Sequence, residues 1–178
     1  MDLREKTVNS KKIYKGKIVN LRLDEVELPN GKFSKREIVE HNGAVAIVPY
    51  YKNKVIMVEQ FRKATEEILL EIPAGKIEKG EDLVESAKRE LEEEIGYQPA
   101  NLKWLCKAYT SPGFTNETID IYLATELVRT KQNTDEDEFI NIRQFDISAV
   151  GEMMAKGEFR DAKTIIGLQY LLADLKEG

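Results

Sequence analysis

Between Gly75 and Tyr97 the chain reads GKIEKGEDLVESAKRELEEEIGY, and no other segment limits the fold as tightly. Leu83, Ala87, Leu91 and Ile95 recur every four residues, which predicts an amphipathic helix packing one apolar stripe on a core. The helix begins near Glu81 or Asp82 and stops at Gly96, because glycine readily takes the left-handed conformation that ends helices. Its acidic residues do not follow the same logic. Glu90 and Glu94 are four apart and Glu93 is three from Glu90, so three carboxylates share neighbouring faces. Like charges at that spacing repel by about 0.2–0.5 kcal/mol per pair. Glu93 and Glu94 also occupy the last turn, where the helix dipole favours cations. A sequence that obeys local rules at one end of a helix and breaks them at the other marks a functional site.

Two readings compete. The acids form a solvated face partly neutralised by Lys88 and Arg89, or they gather a cation. Gly75, Glu81, Arg89 and Gly96 at fixed intervals around the run favour the second. Hard oxygen ligands with no histidine or thiol nearby suit Mg²⁺ or Mn²⁺.

Composition removes other chemistry. A chain of 178 residues is long enough for one full core and short for two domains. No apolar run approaches the ~20 residues of a membrane span, and MDLREKTVNS has no signal-peptide core, so the cytoplasm is the expected location. A single cysteine, Cys106, and a single histidine, His41, exclude an internal disulfide and a zinc finger. Cys106 follows Trp104-Leu105 in an expected strand, which favours a buried structural thiol over a nucleophile. His41 precedes a turn at Asn42-Gly43 and has no nucleophile motif to serve. Acid–base work therefore falls to carboxylates. A net charge of −5 with no basic stripe argues against a nucleic-acid partner.

Residues 12–28 predict one strand, bulged where the apolar phase changes, entering a hairpin at Pro29-Asn30-Gly31-Lys32. Phe33 to Glu40 is its return arm. Ala44–Val48 and Val55–Glu59 are nearly continuous in apolar residues and predict central strands. Further strands are expected at about 102–109, 118–125 and 139–145, with closing helices at about 147–156 and 162–175. Helices interrupting a mixed set of strands predict an α/β layered fold.

The spacing of Gly75, Glu81, Arg89-Glu90-Leu91, Glu93-Glu94 and Gly96 resembles the signature of the Nudix hydrolases, which cleave nucleoside diphosphates linked to another group. Tyr97 departs from it, standing where the family usually has an aliphatic residue. Outside this box the chain is similar to the ADP-ribose pyrophosphatase branch in four places. These are Gln60-Phe61-Arg62, Glu71-Ile72-Pro73-Ala74-Gly75, a proline (Pro112) sixteen residues beyond Gly96, and the acidic stretch within RTKQNTDEDE at 129–138. The resemblance implies a Nudix α/β/α sandwich with mixed sheet over 43–178, and a small N-terminal β unit over 1–42 that serves a homodimer.

It also implies roles. Glu90, Glu93 and Glu94 bind metal, with the Ala74 carbonyl as a further ligand; Arg89 orients the glutamates and Glu81 supports the loop and helix. Arg62 and Arg36 match substrate-phosphate positions, and Pro112, Gly113 and Phe114 substrate contacts. Glu136 is the first choice for general base and Glu138 the second, Glu138 also being an additional metal ligand. The implied reaction is Mg²⁺- or Mn²⁺-dependent hydrolysis of ADP-ribose to AMP and ribose 5-phosphate. Two alternatives stay open at this point: another nucleoside diphosphate sugar such as GDP-mannose, and a non-enzymatic sensor that binds ADP-ribose.

Overall fold

The computed structural model describes residues 2–134 and 138–177. They form two compact units, each built on its own sheet.

The larger unit, Ala44–Ala108 with Ile119–Gly178, carries the long sheet. Its strands are β4 (Ala44–Tyr51), β5 (Lys54–Arg62), β6 (Glu67–Glu71), β7 (Ala74–Lys76), β8 (Tyr97–Tyr109), β9 (Thr118–Arg129) and β10 (Ile140–Asp146). The path runs β10-β5-β4-β9-β8, with β6 pairing β5 and β7 pairing β4. The sheet is mixed: β4 and β9 are parallel, with Ala46 opposite Ile121, while β5 with β10 and β4 with β7 are antiparallel. Ala44 to Pro49 are all buried, as the unbroken apolar run requires of a strand covered on both faces.

Alternation along β4, β5 and β9 sends side chains to opposite faces and creates two cores. Val45, Ile47, Ile56, Val58 and Tyr122 meet Ala87, Leu91 and Ile95 of helix α1 (Leu83–Ile95). Ala46, Val48, Val55, Met57, Ile121 and Leu123 meet Val150 of α2 (Ile147–Ala155) and Leu168 and Leu171 of α3 (Ala162–Glu177). This is the α/β/α sandwich expected from the sequence. Leu91 is fully sealed, and truncating such a leucine costs about 2–5 kcal/mol. Among the described residues no helix is long and apolar enough to cross a membrane.

The smaller unit comprises the chain up to Gly43 together with Tyr109–Thr118. Here the structure corrects the single strand expected over 12–28. Two strands, β1 (Lys6–Lys15) and β2 (Asn20–Glu27), pair antiparallel, and β2 pairs with β3 (Phe33–Glu40). The reversal lies at Gly16, whose N–H donates to the Val19 carbonyl at 3.0 Å and whose missing Cβ leaves room for the Tyr14 ring. Every residue of β1 is exposed, so no period-two burial pattern exists to announce it. The bulge expected between Leu23 and Val26 does not occur there: β2 pairs β3 in unbroken register, and the register shifts lie on β1, at Thr7/Asn9 and Lys12/Tyr14. The second turn is the expected one, with Gly31 at φ 77° and its N–H bonded to Leu28 O at 2.8 Å. The Ser111–Asn116 turn joins β3, since Val39 N donates to Phe114 O at 2.8 Å. His41 belongs to this unit's turn chemistry: its Nδ1 accepts the Gly43 N–H at 3.1 Å.

Candidate active site

The acidic helix is built as its sequence requires. Asp82 caps its start, accepting the N–H of Val84 at 2.9 Å, and Gly96 ends it in the left-handed region with φ 70°. Packing the Ala87–Leu91–Ile95 stripe turns Glu90 and Glu94 toward β7. Glu94 is 2% exposed and accepts the Ala74 N–H at 3.1 Å. Glu90 lies against Gly75 so closely that a Cβ there would sit 1.9 Å from its carboxyl carbon. That approach explains why the signature needs glycine at Gly75: any side chain would displace the carboxylate.

Arg89 organises the rest. Its Nε and Nη2 grip the two oxygens of Glu81 at 2.8 and 2.9 Å, and its Nη1 reaches Glu90 at 2.8 Å and Glu93 at 2.9 Å. Glu81 in turn accepts the Glu78 N–H at 3.1 Å, which ties the loop before the helix to the same guanidinium. The bond to Arg89 holds the Glu81 carboxyl down at about 2. Glu90 moves the other way, raised by burial against the opposing charge of Arg89, with Glu93 and Glu138 adding to the rise. Glu94 is pushed up to about 8, first by burial and then by the charges of Glu138 and Glu90. A buried carboxylate, Glu94, and a half-buried one, Glu90, both raised by burial and by neighbouring acids, form a site with too little positive charge of its own.

Among the described residues, no three acid, imidazole or thiol groups converge into a closed cation cage. Arg89 Nη1 instead bridges Glu90 and Glu93. The donor set nevertheless fits a hard divalent ion that keeps several waters and completes its shell with substrate oxygens: all donors are oxygens, Gly75 leaves the clearance, and the charge is in deficit.

The acidic stretch 129–138 meets this site at both ends. Thr130 N donates to Gly96 O at 2.8 Å, Asn133 N to Glu93 O at 3.0 Å, and the Gln132 side chain to Glu94 O at 2.8 Å, so the stretch caps the orphan carbonyls of α1. Glu138 accepts from Gln60 Nε2 at 3.2 Å and acts electrostatically on both Glu90 and Glu94. Glu136 lies outside the described residues.

Arg62 ends β5 with its guanidinium clamped on Glu71: Nε to Oε1 at 2.7 Å and Nη2 to Oε2 at 2.8 Å. Glu71 is 2% exposed and also receives Lys163 Nζ. The structure draws Lys163 and Asp161 into this cluster, and sequence reasoning missed both. The signal was a buried-facing acid, Glu71, between apolar Leu70 and Ile72, which demanded a cation from elsewhere. Arg36 and Pro112–Phe114 belong to the smaller unit, where Arg36 binds Glu5 through Nε at 2.9 Å and Nη2 at 2.5 Å and Phe114 is exposed. Cys106 is half-buried rather than buried; it packs against the α3-side core, and burial raises its thiol, which suits a structural role.

The pattern of the NUDIX domain matches residues 40–167, and that of the nucleoside diphosphate sugar hydrolase N-terminal domain matches residues 5–39. The chain belongs to the Nudix family. Among Nudix relatives it is 47% identical over 178 residues to an ADP-ribose pyrophosphatase of Bacillus subtilis (strain 168), covering 98% of this chain and 95% of that one. It is also 47% identical over 171 residues to a methanol dehydrogenase activator of Bacillus methanolicus, covering 94% and 92%. A crystal structure of an ADP compounds hydrolase shares the fold at a TM-score of 0.88 and 23% identity, covering 99% of this chain and 97% of the other.

Proposed function

We propose that this Nudix chain hydrolyses ADP-ribose to AMP and ribose 5-phosphate, with Mg²⁺ as its cation and Mn²⁺ as an alternative. The observation that carries the reading is the pairing of half-buried Glu90 with buried Glu94 beside Glu138, in which Glu94 is pushed up to about 8 by burial and by the charges of Glu138 and Glu90. Near-complete coverage by the Bacillus subtilis relative supports ADP-ribose as the substrate.

Glu90 and Glu94 are the principal ligands, with Glu93, Glu138 and the Ala74 carbonyl contributing. A divalent cation held there supplies neutralisation of the pyrophosphate charge and acidifies water. Arg89 keeps Glu81, Glu90 and Glu93 in fixed rotamers through bonds of 2.8–2.9 Å. Arg62 presents its guanidinium to a substrate phosphate, for which a planar fork is well matched. Glu136 accepts the proton of the attacking water; the electrostatic coupling of Glu138 to Glu90 and Glu94 supports a place for Glu138 in the cation cluster instead. As water's oxygen bonds to phosphorus, the bridging P–O bond breaks and its electrons leave with the departing phosphate. Substrate roles for Arg36, Pro112, Gly113 and Phe114 rest on the family resemblance alone.

Residues 1–42 are proposed as the dimerisation element of a cytoplasmic homodimer, with 43–178 as the hydrolase domain. The exposed apolar side chains of Val8, Ile13 and Tyr14 on β1 support such a contact, and sedimentation as a monomer at micromolar concentration would reject it. The activity is tested by incubating pure protein and Mg²⁺ with ADP-ribose, GDP-mannose and other nucleoside diphosphate sugars. Preference for a non-adenine substrate sinks the ADP-ribose claim. Binding without turnover supports a sensor, and Glu90→Gln separates the two because only an enzyme loses kcat.

A further inference from the structure

The buried cluster around Glu71 has more in it than a surface arginine needs. Glu71, on β6, holds Arg62 through both oxygens and receives Lys163 on Oε2. Lys163, in the first turn of α3, is 10% exposed and also lies 3.1 Å from Asp161 Oδ2. Asp161 accepts the Thr164 N–H at 2.9 Å and its hydroxyl at 2.6 Å, and the Thr164 hydroxyl oxygen accepts the Ile72 N–H at 2.9 Å. One continuous set of bonds therefore runs from the start of α3 across the strand leading to Ala74 and ends on a guanidinium.

A simple stitching role for α3 is met by the Thr164–Ile72 bond alone. It does not account for two cations on one carboxylate, since a bidentate arginine already satisfies Glu71. What distinguishes the cluster is its gradient of exposure. Glu71 is 2% and Lys163 10% exposed, while the Arg62 side chain is 39% exposed. Nε and Nη2 are fixed from behind, and Nη1 has no hydrogen-bond partner among the described residues. The cluster also borders the metal carboxylates: Arg62 and Glu94 interact electrostatically, as do Lys163 and Glu94. An open edge of a locked arginine beside a cation site is an arrangement for meeting a phosphate oxygen without first ordering the side chain.

We propose that Lys163 and Glu71 are positioning residues for substrate binding: Lys163 fixes Glu71, and Glu71 fixes the Arg62 guanidinium with one edge presented to a phosphate of the nucleoside diphosphate. The inference rests on the reading that Arg62 binds a substrate phosphate. Lys163 does not touch substrate, and its removal changes binding through Arg62 only.

The test uses the full chain with Mg²⁺ and ADP-ribose. Lys163→Met is expected to raise KM about tenfold and leave kcat within about threefold, with Lys163→Arg restoring most of the loss. Equilibrium titration of ADP-ribose in EDTA should weaken by the same factor, which a purely structural lysine would not produce. The double variant Arg62→Ala/Lys163→Met should bind no more weakly than Arg62→Ala alone, because the two act as one unit. An Arg62→Ala variant with unchanged KM overturns the phosphate reading itself. Arg62→Ala with raised KM beside Lys163→Met with unchanged KM overturns only the positioning inference. Lys163→Gln takes the place of Lys163→Met, with the same outcomes, if the latter does not fold.

Discussion

Two charged clusters flank the same stretch of chain, and they are built in opposite senses. At Arg89 one guanidinium faces the carboxylates of Glu81, Glu90 and Glu93, with Glu94 and Glu138 close by. At Glu71 one carboxylate faces two cations, Arg62 and Lys163, and Asp161 completes a neutral set. The consequence is visible in the acids themselves. Glu94 is pushed up to about 8, whereas the cations beside Glu71 outweigh its burial and lower it. A cluster in charge deficit is completed from outside by a cation; a balanced one completes itself and contributes geometry.

The largest effects are expected at the acidic cluster. Glu90→Gln or Glu94→Gln should cut turnover of ADP-ribose by at least about 10²-fold, since losing a proposed cation ligand forfeits several kcal/mol of charge stabilisation. Gly75→Ala should come next. Its Cβ would meet the Glu90 carboxyl carbon at 1.9 Å, and because that group ends a flexible side chain the fold survives while the ligand is displaced. A fall of about ten- to a hundredfold in apparent Mg²⁺ affinity, with a near-normal melting curve, is expected.

A pH titration sharpens the contrast. The folded value for Glu94 lies at about 8, above the ordinary 4.5, so the metal-free folded state binds this proton more tightly than the unfolded chain. Its contribution to stability is full below the ordinary value and disappears as pH rises through about 8. Melting in EDTA should therefore fall across this window, Mg²⁺ should stabilise more at its upper end than at its lower, and Glu94→Gln should flatten the slope. The smallest effect is expected where a pair belongs to neither cluster. Lys63 and Glu66 are both exposed, and Lys63→Ala should change stability by less than about 0.5 kcal/mol in denaturant melts.

The sequence was most legible where one residue carries its own constraint. The four-residue stripe Leu83–Ile95 and the stop at Gly96 place α1 correctly, and the run Ala44–Val48 announces a central strand because every member is sealed. Gly75 could be read as part of a pattern, but its reason, clearance for Glu90, is a contact between a strand and a helix and exists only in three dimensions. Lys163 was illegible for a similar reason. In isolation it is a lysine at the start of a helix, and its value comes from Glu71, ninety-two positions earlier in the chain. β1 was misread because all ten of its residues are exposed, so apolar periodicity carried no signal there.

The capping of α1 by the segment that follows β9 has a practical meaning for protein engineering. Asn133 is fastened to Glu93 O and Glu138 to Gln60, so both ends of the intervening chain are held by bonds that do not depend on what lies between them. That interval is a natural splice point. Doubling a loop's length costs only about 0.6 kcal/mol of closure entropy. Segments of different length can therefore be exchanged between Asn133 and Glu138, provided that an acid is kept at the place of Glu136, the proposed base, and without rebuilding the helix proposed to hold the cation.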